Sequence, residues 1–212
     1  TGKIGNAWDF DGSNDYVQMP TNPYSGNTPS TISFWINPDN DTWGNIVGMG
    51  NSASSESRWV GNGYGSSYGL GAGYYANDFW INPTPLTVGT WAYVTVTFDG
   101  STTEVFVDNV SQGTHSTGTI NTSGSDWKIG VDTFGQGNYA DLQLDEMVFY
   151  NKVLSLSEIS ALYNSGSGDS TPDTDGLIAH YNFEQTGTLE NQGLTAPPTN
   201  TKLLGLNDIT FN

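Results

Sequence analysis

No cysteine occurs in the chain, so no disulfide framework, thiolate metal site or cysteine nucleophile is available. Basic residues are nearly as scarce: 5 Lys and Arg stand against 22 Asp and Glu, for a formal net charge of −17. Phosphate backbones and anionic bilayers both recruit basic surfaces, so nucleic acid and membrane surfaces are not expected partners. No stretch approaches the roughly 18 apolar residues of a membrane helix. Histidine is limited to His115, in a Thr/Gly-rich loop, and His180, in a strand, with no acid–base partner visible beside either. Phosphate-loop and zinc-site patterns are absent as well. The first residue is Thr and no leader peptide is visible, so the chain is expected to be a processed or excised piece.

What is present is glycine, hydroxyl and amide residues, with 7 Trp, 11 Tyr and 9 Phe to build a core in place of long aliphatic runs. Short apolar stretches between turn residues are the pattern of an all-β chain, and 212 residues suit one large sandwich. Thr31–Asn37 alternates Ile32, Phe34 and Ile36 against Ser33 and Asn37, as a half-buried strand does. Trp91–Phe98 alternates likewise, and Asp99-Gly100 turns it into Thr103–Val107 as a hairpin. Asn45–Met49, Asp126–Val131 and Asp141–Tyr150 are further strands, and Trp59–Trp80 reads as short strands with glycine turns. One helix is expected: Ser155-Leu-Ser-Glu158 forms a capping box, Leu156, Ile159 and Tyr163 share a face, and Ser165-Gly166 ends it. Residues 166–175 contain no apolar side chain and read as an acidic flexible linker. A strand at Leu177–Phe183 follows, then an Asn/Thr/Pro-rich tail with a further strand at Ile209–Phe211.

In this order the pieces resemble the laminin-G-like, concanavalin A-like jelly-roll family. The resemblance rests on Gly5-Asn-Ala-Trp-Asp-Phe-Asp-Gly-Ser-Asn-Asp-Tyr-Val17, Thr31-Ile-Ser-Phe-Trp-Ile-Asn-Pro38 and Thr90-Trp-Ala-Tyr-Val-Thr-Val-Thr-Phe-Asp-Gly100. It continues through Val105-Phe-Val-Asp-Asn109, Leu144-Asp-Glu-Met-Val-Phe-Tyr-Asn-Lys-Val-Leu-Ser155 and Ser157-Glu-Ile-Ser-Ala-Leu-Tyr163, covering about residues 2–165. It implies a two-sheet antiparallel jelly-roll sandwich with one short C-terminal helix, used for extracellular binding or adhesion, often with calcium and often with carbohydrate. The implied units are a domain at 1–165, the linker at 166–175, and a displaced first strand with its tail at 176–212.

The displacement is the departure from the family. A segment like Gly176-Leu-Ile-Ala-His-Tyr-Asn-Phe-Glu184 normally precedes the Gly-Asn-Ala-Trp stretch; here it follows the helix. Three readings stay open: the start of a next repeat, a circular permutation closed by the chain's own tail, or donation of Leu177, Ile178, Ala179, His180, Tyr181, Asn182 and Phe183 to another copy. Strand addition replaces a missing strand by a backbone ladder and alternate side-chain pockets, and a heterologous joint of that kind builds filaments.

The resemblance also implies a calcium site, with Asp145, Asp11, Gly12 and Glu184 as ligands; a carboxylate among core residues, such as Asp145, needs a partner in any case. The acids Asp9, Asp11, Asp15, Asp39 and Asp41, with Asn14, read as solvated turns, and Asp169, Asp173 and Asp175 lack the downstream Glu of an EF-type loop. For sugar, the available platforms are Trp43, Trp59, Tyr64, Tyr68, Tyr74, Tyr75 and Trp80, which core packing explains equally well. Catalysis is not expected: the paired-acid strand pattern Glu-x-Asp-x-x-Glu is missing, and Asp145 and Glu146 fall on opposite strand faces. Asn40, Asn109 and Asn121 sit in N-glycosylation triplets. The expected protein is an extracellular, cell-surface or virion-surface assembly and adhesion unit joined to copies of itself. The alternative is a calcium-dependent carbohydrate-binding module of a larger secreted or virion protein.

Overall fold

A computed structural model describes residues 1–19, 22–63, 69–124 and 127–184, with the backbone of 188–189 and 201–204. In chain order the strands are β1 (Trp8–Asp11), β2 (Tyr16–Gln18), β3 (Ser30–Pro38), β4 (Gly44–Gly50), β5 (Ser57–Asn62), β6 (Leu70–Gly73), β7 (Asp78–Ile81), β8 (Ala92–Phe98), β9 (Thr102–Val107), β10 (Val110–Ser116), β11 (Trp127–Ile129) and β12 (Asp141–Tyr150). Helix α1 (Leu156–Tyr163), β13 (Leu177–Tyr181) and the short tail strands β14 (Thr188–Leu189) and β15 (Thr201–Leu204) follow. One sheet runs β1–β12–β3–β8–β9–β10, with β13 also on β12; the other runs β14–β15–β2–β11–β4–β5–β6–β7. Every pairing is antiparallel, as in a jelly-roll sandwich. Trp8, Phe10, Phe34, Ile36 and Val94 from the first sheet face Val47, Val60 and Ile129 of the second across the core.

The Asp99-Gly100 hairpin forms as its turn chemistry requires: Asp99 Oδ1 accepts the Ser101 and Thr102 amides at 2.8 and 2.7 Å. The capping box is also present, with Ser155 Oγ accepting the Glu158 amide and Glu158 Oε2 accepting the Ser155 amide at 2.7 Å. The buried face of α1 keeps two of the three expected residues, Ile159 and Tyr163, the latter stacked on Trp35 at 5.8 Å. Ile159 and Leu162 face inward, whereas Leu156 in the first turn is 63% exposed. That helix covers a second apolar layer containing Trp35, Tyr93, Tyr150 and Leu177 on the outer side of the first sheet. Strand β3 is therefore buried on both faces, where its alternation reads as half-buried.

β13 lies in the sheet of its own chain, which, of the three readings left open, is the one in which the tail closes its own sandwich. Met147, Val148 and Phe149 pair with Tyr181, His180 and Ala179, while Leu144 and Leu142 pair with Trp8 and Phe10. β13 and β1 thus run in line along the same edge of β12. They meet where the Trp8 and Phe183 rings pack at 5.4 Å and where Glu184 accepts the Asn6 amide at 3.0 Å. Gly5, with φ +56°, permits that approach, because a Cβ there would stand 2.0 Å from Glu184 Oε1.

The physical reason for closure in cis is that the expected linker is tied down. Tyr150 Oη donates to the Asp173 carbonyl at 2.8 Å, the Asn151 amide donates to the Gly176 carbonyl at 2.9 Å, and Lys152 Nζ bridges Glu158 and Asp175 at 2.8 and 2.5 Å. The backbone of β15 pairs with β2, whereas the strand expected at Ile209–Phe211 lies outside the described residues.

Phe183 is 1% exposed. Phe183→Ala is expected to lower the unfolding free energy by about 3–5 kcal/mol in urea denaturation. The midpoint should not depend on protein concentration; a concentration-dependent midpoint would show that the strand is shared between copies.

Candidate functional site

The outer face of the second sheet carries a groove of about 380 Å³ over β4–β7. Strand alternation sets its composition: Val60, Leu70, Ala72 and Ile81 point to the core, leaving Trp59, Gly61, Gly71, Gly73, Asp78 and Trp80 on the outside. The three glycines make a floor on which indoles lie directly. A Cβ at Gly61 would meet Trp43 at 2.7 Å, one at Gly71 would meet Trp80 at 2.6 Å, and one at Gly73 would meet Trp59 at 2.6 Å. Trp43, Trp59 and Trp80 pack together with centroids 5.1 to 5.4 Å apart. Tyr75 and Phe134 form the facing wall, edge to face at 5.7 Å, and Tyr75 is 40% exposed.

Polar groups punctuate this apolar surface. Asn45 is 1% exposed, and its Oδ1 has no hydrogen-bond partner. Buried acceptors in that condition are uncommon. Asp78 Oδ1 accepts the Trp59 Nε1–H at 3.2 Å; burial holds the Asp78 carboxyl above its ordinary range, opposed in part by that bond and by His115. Gln136 and Asn138 complete the lining.

The loop bearing Phe134, Gln136 and Asn138 is wound round one buried carboxylate. Asp132 Oδ1 accepts the Phe134 and Gln136 amides at 2.7 and 3.2 Å, and Oδ2 accepts the Asn138 amide at 2.9 Å. Gly135 and Gly137, at φ +74° and +70°, allow the chain to turn that tightly. Of the aromatics that the sequence offers as sugar platforms, Trp43, Trp59, Tyr75 and Trp80 converge here. Tyr74 instead packs inside against Phe98 at 5.3 Å and bonds Thr103, and Tyr64 and Tyr68 lie outside the described residues. Sequence reasoning missed Asn45, Asp78 and the whole 132–138 loop; the Asp-x-x-Gly-x-Gly-Asn spacing was the available signal.

Residues 11–160 match the family model of the concanavalin A-like lectin/glucanases superfamily. The chain belongs to that superfamily. Its fold is similar to a provisionally assigned carbohydrate binding protein from Bacteroides ovatus (TM-score 0.72, 16% identity, 100% of this chain and 60% of that one). It is also similar to the heptameric SAP-like pentraxin of Limulus polyphemus (TM-score 0.67, 13% identity, 100% and 96%). A third similar structure is domain 4 of AbnA, a GH43 extracellular arabinanase from Geobacillus stearothermophilus, in complex with arabinotriose (TM-score 0.60, 18% identity, 79% of each chain). The chain thus spans about 60% of the first of these. No curated protein matches it in sequence.

In this concanavalin A-like sandwich the four residues expected to ligate calcium divide into two places. Asp145 and Glu184 both face the loop of residues 2–6: Asp145 Oδ2 accepts the Ile4 amide at 2.8 Å, and Glu184 grips Asn6 through both oxygens. Asp145 Oδ1 is buried without a partner, and burial pushes this carboxyl up to about 8, with the Ile4 amide opposing and the neighbouring Glu146 and Glu184 charges adding. Asp11 and Gly12 lie farther along β1, opposite Asp141 rather than Asp145, and Asp11 Oδ1 accepts the Ser13 amide. Among the described residues no three acid or His side chains converge to hold a metal. Glu146 instead pairs with buried His180, at a bulge where Glu146 takes φ +49°. Asp15, read as part of a solvated turn, is fully buried and accepts the Asp11 amide at 3.2 Å.

Asp132→Ala removes the only carboxylate around which the groove loop winds. It is expected to cost about 2 kcal/mol in urea denaturation and to speed hydrogen exchange at the Phe134, Gln136 and Asn138 amides relative to the β4 ladder.

Proposed function

We propose that this protein is an extracellular carbohydrate-binding module whose ligand lies in the groove over β4–β7. The observation that carries the reading is a concave, largely aromatic surface whose lining includes Asn45, a buried side chain with its Oδ1 unpartnered. Sugar rings present apolar C–H faces and a rim of hydroxyl donors, which calls for flat aromatics interrupted by a few oriented polar groups. The preformed floor and the loop wound on Asp132 limit the ordering that binding must impose. Similarity to an arabinanase domain in complex with arabinotriose supports the same reading.

A binding role without chemistry suits the lining, which holds a single carboxylate, Asp78, where hydrolysis of a glycosidic bond calls for a pair. Closure by β13 in cis likewise leaves the sandwich complete without a donated strand. No helix among the described residues is long and apolar enough to cross a membrane.

Titration with neutral oligosaccharides, arabinotriose, cellotriose and lactose among them, should change tryptophan emission. Tyr75→Ala and Trp80→Ala should each weaken binding about tenfold while leaving the melting temperature nearly unchanged for the exposed Tyr75. Absence of binding to any saccharide across a broad glycan panel would remove this function.

The partnerless Asp145 Oδ1 favours a second ligand, a hard divalent cation such as calcium. Asp145 and Glu184 would hold it, with backbone oxygens of the 2–6 loop as further donors, and it would neutralise neighbouring carboxylates where the two chain segments meet. Calcium should raise the melting temperature of the wild type and not that of Asp145→Asn; a melting temperature indifferent to calcium and to chelator would remove the ion.

A further inference from the structure

The polar atoms of the groove are uneven in kind. Asn45 Oδ1 is a buried acceptor without a donor, and Asp78 is a carboxylate with one oxygen engaged by the Trp59 indole. Both sites call for a ligand group that donates. A sugar hydroxyl can donate; an ionised carboxylate or a sulfate ester can only accept.

Among the described residues no Lys or Arg side chain lines the groove, and the base that acts on Asp78 is His115, which draws its carboxyl down against the effect of burial. Arg58 springs from β5, beside Trp59, but its guanidinium turns the other way. It lies between the Tyr24 and Phe98 rings, 5.0 Å from each, and donates to Ser30, Thr122 and the Thr28 carbonyl. Lys3 lies over Trp35, Lys128 over Tyr16, and Lys152 is held by Glu158 and Asp175, while the backbone of Lys202 belongs to β15, separated from β4 by β2 and β11. Recognition of acidic sugars ordinarily uses an Arg or Lys placed against the anion. Here an anion would meet Asp78 at close range and a net charge of −17 at long range.

We infer that the groove is selective for uncharged saccharide units and excludes acidic ones, whether sialylated, uronic or sulfated, with Asp78 and Asn45 as the discriminating side chains. This rests on the carbohydrate-binding reading and narrows it to a ligand class. Neutral units satisfy Asn45 Oδ1 and Asp78 through their hydroxyls and stack on the indole floor. An acidic unit on the same backbone would retain the stacking contact but would place like charges together in a partly desolvated groove.

The experiment titrates the full chain with neutral oligosaccharides and with acidic counterparts of the same backbone: lactose with 3′-sialyllactose and 3′-sulfolactose, and trigalacturonic acid with its carboxyl-reduced form. A broad neutral and acidic panel accompanies these pairs. The expected result is that every binder found has a neutral unit in the groove and that its acidic counterpart binds about tenfold or more weakly. Added salt should narrow the gap. Asp78→Asn, which keeps an oxygen for the Trp59 N–H, should narrow it further by improving acidic-ligand binding relative to neutral-ligand binding, whereas a merely structural role would weaken both classes alike. Acidic sugars binding as tightly as neutral ones would overturn the selectivity and leave the carbohydrate reading standing. If no saccharide of either class bound, both would fall.

Discussion

Strand β12 must find a backbone partner along its whole length on both edges, because it runs through the middle of the buried sheet. On one side β3 supplies that ladder; on the other no single segment does. β1 covers Asp141 to Leu144 and β13 covers Met147 to Tyr150, so one edge is assembled from the two ends of the domain. The change of register at Asp145 and Glu146 falls between them, and it is where the two acids are buried. Deep burial of Trp8 and Phe183 against each other ties the halves together. An exposed upper half of β12 would present unpaired strand edge to any neighbour, and β13 covers it.

The groove depends on this closure indirectly. Sheet packing fixes which face of β5, β6 and β7 is outward, and the outward positions under the groove are glycine and tryptophan except for Asp78. Indoles then lie on bare backbone, their planes inclined to one another by 47° to 85°, giving a packed aromatic surface of low conformational freedom. Opposite it, one buried carboxylate arranges three amides and thereby places Phe134, Gln136 and Asn138. The packed floor and the hydrogen-bonded wall together hold the lining side chains in place.

Much of the fold was legible because its signals are local. Alternating Ile32, Phe34 and Ile36, the Asp99-Gly100 turn and the Ser155–Glu158 box each act within a few residues, and each forms as expected. Errors arise where burial is decided from outside the element. Leu156 belongs to the apolar pattern of α1 yet faces solvent, and Trp35, on the other face of the strand from Ile32, Phe34 and Ile36, lies beneath the helix. Asp15 looks like a turn acid of ordinary exposure, and only its surroundings bury it, whereas the apolar neighbours of Asp145 already mark it as a carboxylate in the core. The groove was half visible: Trp43, Trp59, Tyr75 and Trp80 stood out by type, but nothing separated them from Tyr74, which packs inward one residue from Tyr75.

By itself the sequence determined the class of fold, the absence of thiol chemistry, the strongly acidic charge and the identity of most strands, since composition and short-range periodicity carry these. Tertiary structure alone decided where residues 177–183 pair, which acids are buried, and which aromatics share a groove with Asn45 and the loop around Asp132. Those outcomes depend on contacts between segments far apart in the chain, as between Glu184 and Asn6 or Phe134 and Tyr75. No local pattern encodes such meetings; the free energy of closing both sheets around one core selects them.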